Sequence, residues 1–382
     1  MEKLPQNLKK NDGKENQTDK LIVKNKGEAM LQIWKKFKKE QKENYFYLDF
    51  HNEKHPEIVR KKALEFAKII MRADPNLVSK DTLLKIVGSA ASHDSVLNMA
   101  HGAMITRFRG FFDADIPENL RIMMNERGIL KGNELLSAEW LENELDLYVA
   151  IDGTPIFDPE SKVEMINSIA ATFPEFNFAA TIQNEDFEKY FGGVSTKNDL
   201  NKYRTGIKVW QPHLKSESSI DTLAVATGDL RSMASSDNFE DYRQSGNEEF
   251  RELNLGLKLK LEKGIETIPT VEKSELIQNI LKWVKSQITF AMWQKILFWE
   301  SIDKNELISK SEKSLEIKQA LKERYDSNFD ANVLKAKQRY EHLEEKYGKI
   351  TEREEEEFYA KAVDDSFREL LYEMGFSSTP EN

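Results

Sequence analysis

The chain has 382 residues, enough for one large helical domain or two ordinary domains. Its formal net charge of -10 argues against a general nucleic-acid-binding surface, so we expect no stable DNA or RNA complex. The absence of cysteine excludes disulfides, iron–sulfur clusters and thiol nucleophiles. The sequence has no apolar run of about 18 residues and no signal-peptide core, which predicts a cytoplasmic protein without a membrane span.

The N-terminal region is expected to pass from a flexible tail into helices. Residues 1–27 are polar and rich in Lys, Asn and Gln, which is typical of a disordered or flexible segment. A first strong helix is predicted after Pro56, a residue suited to the first helical position. Its apolar residues recur at helical spacing: Val59, Ala63, Phe66 and Ile70. Ser79 is a suitable N-cap for the next helix, which leads to His93 and Asp94.

Further helices are predicted through the middle of the chain. One covers residues 133–150, and a second opens with the N-cap and first-turn proline of Asp158-Pro159 and runs to about Ala171. A third extends from about Ile220 to Ala234. Strand signals are sparse and are confined to two short segments, Leu147–Ile151 and Ile207–Trp210.

The C-terminal part is predicted to be helical as well. The pattern loosens between about 240 and 272, where we place a soft boundary, and a strong aromatic helix follows over 274–302. Highly charged helices come after it, one beginning at the capping box that starts at Thr351. The predicted organisation is a flexible tail (1–27), a helical catalytic domain (28–240), a linker with an aromatic helix packed on the core (241–303) and a charged helical extension (304–382).

Three separated segments carry residues that can converge on one divalent cation. They are His51-Asn52-Glu53-Lys54-His55, the pair His93-Asp94 at the end of a helix rich in small residues, and Asp229 beside the buried face of a later helix. Mixed nitrogen and oxygen ligation suits Mn, Fe, Co, Ni or Zn, and the carboxylates admit Mg. Asp221 and Asp237 are alternatives to Asp229, but neither follows the Ala-rich segment of that helix.

The order of these motifs resembles that of the HD-domain metal-dependent phosphohydrolases. Phe50 to His55 is similar to the Tyr-His-Asn-x-x-His signature of the cyclic-nucleotide-phosphodiesterase-like branch, with Phe50 in place of Tyr. Ala224 to Met233 is similar to the Ala-Asp-Leu motif, and other segments resemble uncharacterised bacterial members. The resemblance covers residues from about 45 to 235. It implies an all-α HD-type helical bundle around a metal site, here with a helical C-terminal extension.

The resemblance also implies roles for individual residues. His55, His93, Asp94 and Asp229 would ligate one metal, Asp94 could bridge to a second ion, and His51 would be the general acid. The implied reaction is cleavage of a phosphate ester, most plausibly a nucleotide phosphodiester, by metal-activated hydroxide. Further histidine ligands that many two-metal relatives have are missing here, so one well-ligated ion is expected, and a second ion would be held mainly by water and substrate.

Several other residues are weaker candidates for contact with a small phosphorylated substrate. The guanidinium or ammonium groups of Arg107, Arg109 and Lys131 can donate hydrogen bonds to phosphate oxygens. His101 and Gln211 are candidates because they lie near the motifs. His213 is a further, weaker candidate, and His342 is expected to be solvated.

Two other functions compete with the hydrolase. One is a catalytically weak or inactive HD-fold module that binds nucleotides for regulation and presents its charged C-terminal helices to a partner or to a second copy in a homodimer. The other is an HD-type di-iron oxygenase, which needs more histidine ligands than the sequence obviously supplies.

Overall fold

The computed structural model describes residues 20–44, 49–95, 133–193, 197–348 and 356–376. The described residues are mostly helical, which confirms the predicted all-α class in its coarse form. The helices are α1 Lys26–Asn44, α2 His55–Ala73, α3 Lys80–Ser92, α4 Asn133–Asp146, α5 Pro159–Ala170, α6 Asn184–Phe191, α7 Lys197–Leu200, α8 Ile220–Ala226, α9 Phe239–Leu253, α10 Leu255–Glu262, α11 Thr270–Lys304, α12 Glu306–Lys310, α13 Ser314–Tyr347 and α14 Glu356–Glu373.

Two small sheets accompany the helices. The strands are β1 Leu21–Ile22, β2 Tyr148–Val149, β3 Glu175–Thr181 and β4 Thr205–Trp210. β1 pairs with β2 in parallel, with Leu21 opposite Tyr148. β3 pairs with β4 in antiparallel, with Glu175 opposite Trp210. The two strand signals of the sequence thus correspond to β2 and β4, whereas β3 was not predicted because its residues do not alternate cleanly between apolar and polar.

The last residues of the predicted flexible tail (1–27) contain regular structure. Residues 20–27 include β1 and the first residues of α1, and Val23 among them is buried. Val23 is buried in a small hydrophobic cluster with Met30 of α1 and with residues of α4, β2 and α5. The main-chain amide of Val23 donates to the carbonyl of Val149 at 3.0 Å. A partner strand more than 120 residues away provides this order, and the local composition does not reveal it.

The ends of α2 and α3 are built as the sequence predicts. Pro56 lies in the first turn of α2, where its missing amide proton has no intrahelical partner to lose. Ser79 caps α3, and its hydroxyl accepts from the amide of Thr82 at 3.0 Å while the Thr82 hydroxyl accepts from the Ser79 amide. His55 is the first residue of α2, and His93 follows the last residue of α3 as its C-cap.

Helix α11 lies at the centre of the larger hydrophobic core. It packs against α13, α14 and β4, and its predicted inner face is buried throughout: Ile277, Leu281, Val284, Ile288 and Ala291. α9 and α10 occupy most of the segment 240–272, where the soft boundary is predicted. Trp283 of α11 donates through Nε1 to the carbonyl of Gly246 in α9 at 3.0 Å, which joins this region to the core.

The helix predicted from Ile220 to Ala234 changes its winding part-way. The α-helix ends at Ala226, and Thr227–Arg231 form a π-helical turn. A Cβ atom on Gly228 would lie 2.7 Å from the main-chain oxygen of Val59 and 2.9 Å from the nitrogen of Ala63, so only glycine allows this turn to lie so close to α2. The side-chain amide of Gln211 donates to the carbonyl of Ala226 at 2.9 Å, which supplies a partner at the point where the winding changes.

Among the described residues, no helix combines the length and apolar content needed to cross a bilayer.

We predict that Gly228→Ala destabilises the protein by about 1–3 kcal/mol, because the added methyl group overpacks the contact with α2. Urea unfolding followed by circular dichroism measures the change. Gly193→Ala is the matched control, since a Cβ there meets no atom within 4 Å, and it should change the free energy of unfolding by no more than about 0.5 kcal/mol. Equal stability of the two variants would contradict the close contact described above.

Candidate metal centre

Three of the predicted ligands meet in one buried pocket. His55 at the start of α2 faces His93 and Asp94 at the end of α3, and one ligand atom from each lies within 4.8 Å of the other two. The Nε2 atom of His93 is 3.0 Å from Oδ2 of Asp94, and Nε2 of His55 is 3.4 Å from the same oxygen. This buried group can hold a metal ion, as the sequence motifs predict.

Asp229 completes the group from the π-helical turn. Its Oδ1 atom lies 3.3 Å from Nε2 of His55 and 3.4 Å from Nε2 of His93. Its side chain is half-buried, whereas the other three ligands are almost fully enclosed. Asp229 therefore stands at the mouth of the pocket, between the ligand atoms and the outside.

The two alternatives to Asp229 lie elsewhere. Asp221 is buried 3.8 Å from the ammonium group of Lys85, and the hydroxyl of Ser168 donates to it at 3.3 Å. Asp237 is exposed and accepts from the guanidinium group of Arg324 at 3.0 Å. Both carboxylates have cationic partners of their own, so the choice of Asp229 from its sequence context agrees with the geometry.

The histidine geometry fits a metal ligand. The Nδ1 atom of His93 lies 2.9 Å from the carbonyl oxygen of Ala90, so it carries the proton and donates it. In the neutral form of the ring, this leaves the lone pair on Nε2, the atom that faces the two carboxylates. Nε2 is buried, and the carboxylate oxygens of Asp94 and Asp229 lie 3.0 and 3.4 Å from it without well-formed hydrogen-bond geometry. A cation between these atoms would satisfy it.

Charge also favours a cation in the pocket. Burial alone would raise the pKa values of Asp94 and Asp229, but the neighbouring histidines outweigh burial and hold both below their usual range. Burial would likewise lower the pKa of His93, yet the two carboxylates raise it well above normal. Two ionised carboxylates thus attract positive charge, which protons on the imidazoles or a divalent ion can supply.

His51 is held by a carboxylate that the sequence did not indicate. Its Nδ1 atom is 2.5 Å from Oε1 of Glu252 in α9, while the other oxygen of Glu252 accepts from the amides of Phe50 and His51, each at 2.9 Å. Burial would lower the pKa of His51, but the Glu252 carboxylate outweighs it and raises the pKa to about 10. Because Glu252 lies 201 residues along the chain, no local pattern could have found it.

Two further carboxyl groups adjoin the site and were also missed. Burial raises the pKa of Glu134, in the first turn of α4, to about 7, and the charges of Asp94 and Asp229 act in the same direction. Burial likewise raises the pKa of Glu249 in α9 to about 7, although the nearby His51 opposes this rise. A carboxyl that titrates near neutrality is typical of functional sites, but neither belongs to the close group of ligand atoms.

The weaker substrate candidates have different outcomes. His101, Arg107, Arg109 and Lys131 lie outside the described residues. Gln211 is buried, and its side chain binds Ala226 and Arg231 (2.9 Å to Nε of Arg231), so it supports the π-helical turn and is not placed to contact a substrate. His213 packs its ring 5.8 Å from that of Phe173, and His342 is exposed on α13, as predicted.

A cleft of about 850 Å³ opens beside the metal ligands. His55 and Asp229 line this cleft together with residues along the length of α2. Arg324 and Tyr325 of α13 line it as well. A small molecule in this cleft would meet the ligand group at Asp229, whose side chain is half-buried and lines the cleft.

The chain was compared with protein-family models, with curated proteins and with solved structures, and none of these comparisons finds a match.

We predict that Asp94→Ala abolishes stoichiometric metal binding. Loss of a ligand should weaken metal affinity by at least about 100-fold. Removal of a group that only hydrogen-bonds to a metal ligand already weakens metal affinity by about 10–100-fold. Elemental analysis after reconstitution with Mn, Co, Ni, Zn, Fe or Mg measures the content. Asp237→Asn is the control, since this carboxylate binds Arg324, and it should keep the metal content of the unmodified protein. Equal metal content in both variants would rule out the proposed ligand set.

Proposed function

We propose that the protein is a metal-dependent phosphohydrolase of the HD type that cleaves a phosphodiester, with a nucleotide as the substrate. The observation that carries the proposal is the convergence of His55, His93, Asp94 and Asp229, two of which, His55 and Asp229, also line a cleft. The motif order that resembles the HD phosphohydrolases supports the same assignment. Two imidazoles and two carboxylates form a ligand set that suits a divalent transition metal or, less closely, Mg.

The ligands have distinct tasks in this proposal. A divalent ion bound there supplies Lewis-acid chemistry, since it polarises phosphoryl oxygens and lowers the pKa of water. His93, fixed by its bond to the Ala90 carbonyl, and His55, fixed at the start of α2, provide neutral nitrogen ligands. Asp94 and Asp229 provide the negative charge that holds the ion, and the half-buried Asp229 lies where a substrate phosphate would arrive.

His51 is assigned the role of general acid. Glu252 binds Nδ1 of His51, so the proton that His51 would give to a substrate is the one on Nε2. The His51 ring lies 5.5 Å from that of His55, which places it beside the ligand group. In the reaction, a water molecule gives up a proton to solvent, its oxygen bonds to phosphorus, and the bond from phosphorus to the leaving oxygen breaks. His51 gives a proton to that oxygen and regains one from solvent.

The size and charge of the cleft support a nucleotide as the substrate. Its volume of about 850 Å³ is in the range of small-molecule sites and fits a nucleotide better than a polymer. Its α2 flank carries several cations, among them Lys61, Lys62 and Lys68, whose charge suits a phosphorylated ligand.

A screen of phosphodiesters with protein reconstituted in each metal tests the proposal. The expected result is metal-dependent release of a phosphomonoester that is lost in Asp94→Ala. Nucleotide binding without turnover in every metal would overturn the hydrolase and favour a regulatory module. Two equivalents of iron with a di-iron optical or EPR signature would favour an oxygenase.

We predict that His51→Gln lowers kcat by about 10²–10⁴-fold while metal content stays unchanged, because general acid catalysis typically contributes this much. Steady-state kinetics and elemental analysis on the same preparation separate the two effects. His342→Gln is the control, since His342 is exposed on α13 and away from the cleft, and its kcat should stay unchanged. A His51→Gln enzyme with normal kcat would exclude His51 as the acid.

The pH profile of Glu252→Gln provides a separate prediction. A general acid works only while it is protonated, so kcat falls as pH rises through the pKa of His51. Glu252 raises that pKa, and its replacement by a neutral amide therefore lowers it. We expect the alkaline limb of kcat to move to lower pH, and the same limb to be absent in His51→Gln. An unmoved limb would show that another group donates the proton.

A further inference from the structure

Lys62 occupies an unusual position on the flank of the cleft. His55, Val59 and Lys62 are spaced i, i+4 and i+7 along α2, so they share one face of the helix. The seven-residue interval corresponds to about 10 Å along the helix axis, so Lys62 lies about two turns from the metal ligand His55. Both residues line the same cleft.

The ammonium group of Lys62 lacks an anionic partner among the described residues. It is half-buried, and it donates to the carbonyl oxygen of Ser232 at 3.3 Å, which uses one of its three donors. No ion pair within the described part of the chain includes it. Arg60 and Arg324 of the same cleft do have carboxylate partners, Glu57 and Glu65. Lys61 and Lys68 also lie outside the ion pairs of the described residues, but both are exposed to solvent, whereas Lys62 is half-buried.

The carboxylates around Lys62 are engaged elsewhere or are solvated. Glu65 accepts from Nε of Arg324 at 2.6 Å, and Asp229 faces the two histidines of the metal centre. Asp241 is exposed. Burial lowers the pKa of Lys62 to about 8, although these three carboxylates oppose the shift. A half-buried cation in this situation gains stability when an anion binds beside it.

We propose that Lys62 forms a second anion subsite, which selects substrates carrying a further phosphate beyond the scissile phosphodiester. The inference rests on the proposed function for the identity of the first phosphate site. A ligand that binds both the metal centre and Lys62 needs two anionic groups separated by about one nucleotide unit, and the flexible lysine side chain can adjust to that distance. A nucleoside with one phosphate binds at one of these two positions, whereas a nucleoside bisphosphate binds at both.

Binding measurements on the full-length protein test this subsite without requiring turnover. Isothermal titration calorimetry in Mn²⁺ compares the 3′,5′-bisphosphates of adenosine, guanosine, cytidine and uridine with the matching 5′-monophosphates. We expect at least one bisphosphate to bind about tenfold more tightly than its monophosphate, the gain of one charge-assisted contact. Lys62→Gln should reduce this ratio to about one, and Lys62→Arg should keep most of it.

Lys80→Gln is the matched control, because Lys80 is an exposed lysine at the start of α3 that does not line the cleft, and it should keep the full ratio. Equal affinity for the two ligand classes in the unmodified protein, including failure to bind either, would overturn the subsite. So would a ratio that Lys62→Gln leaves unchanged.

The phosphodiester screen is read separately from the binding ratio. If the ratio of bisphosphate to monophosphate affinity depends on Lys62 but no phosphodiester is cleaved, the subsite is supported and the hydrolase is excluded. If a phosphodiester is cleaved, Asp94→Ala abolishes the cleavage and the affinity ratio is one, the hydrolase is supported and the subsite is excluded.

Discussion

Close contact between the π-helical turn and α2 is the constraint on which the metal centre depends. Gly228 lies against the main chain of α2, and this approach brings the next residue, Asp229, to within 3.3 Å of His55. The wider winding of Thr227–Arg231 is stabilised by Gln211, which binds Ala226 and Arg231 at the two ends of the turn. A π-helical turn of this kind is frequent at functional sites, since it redirects one side chain without ending the helix.

Charge in a confined space is the second consequence of this contact. Asp94 and Asp229 share a pocket with two imidazoles, and isolated buried carboxylates would be costly. The pocket therefore requires compensating charge, which explains both the depressed pKa values of the carboxylates and the raised pKa of His93. The same compensation of charge applies to His51, because the Glu252 carboxylate balances the positive charge of its ring and holds the ring in place.

The C-terminal half of the described chain contributes directly to the site. α9 supplies Glu252, and α13 supplies Arg324 and Tyr325, which line the cleft. The larger hydrophobic core is continuous from Val59 in α2 to Phe376 after α14, so these helices are part of one packed unit with the metal ligands. α13 therefore has a charged outer surface and also contributes side chains to the cleft. The charged C-terminal extension thus helps to shape the cleft.

The sequence by itself determined the elements whose signals are local. Helical spacing located α2 and α11, and Ser79 and Asp158 marked helix starts. The motifs also predicted that His55, His93 and Asp94 lie together, with Asp229 beside them. Only the tertiary structure decided features that depend on distant residues, namely the parallel pairing of β1, the π-helical turn, the support of His51 by Glu252 and the position of Lys62 in the cleft. The physical reason is that periodicity and caps report on contacts within a few residues, whereas charge partners and close backbone approach arise from packing between segments far apart in the chain.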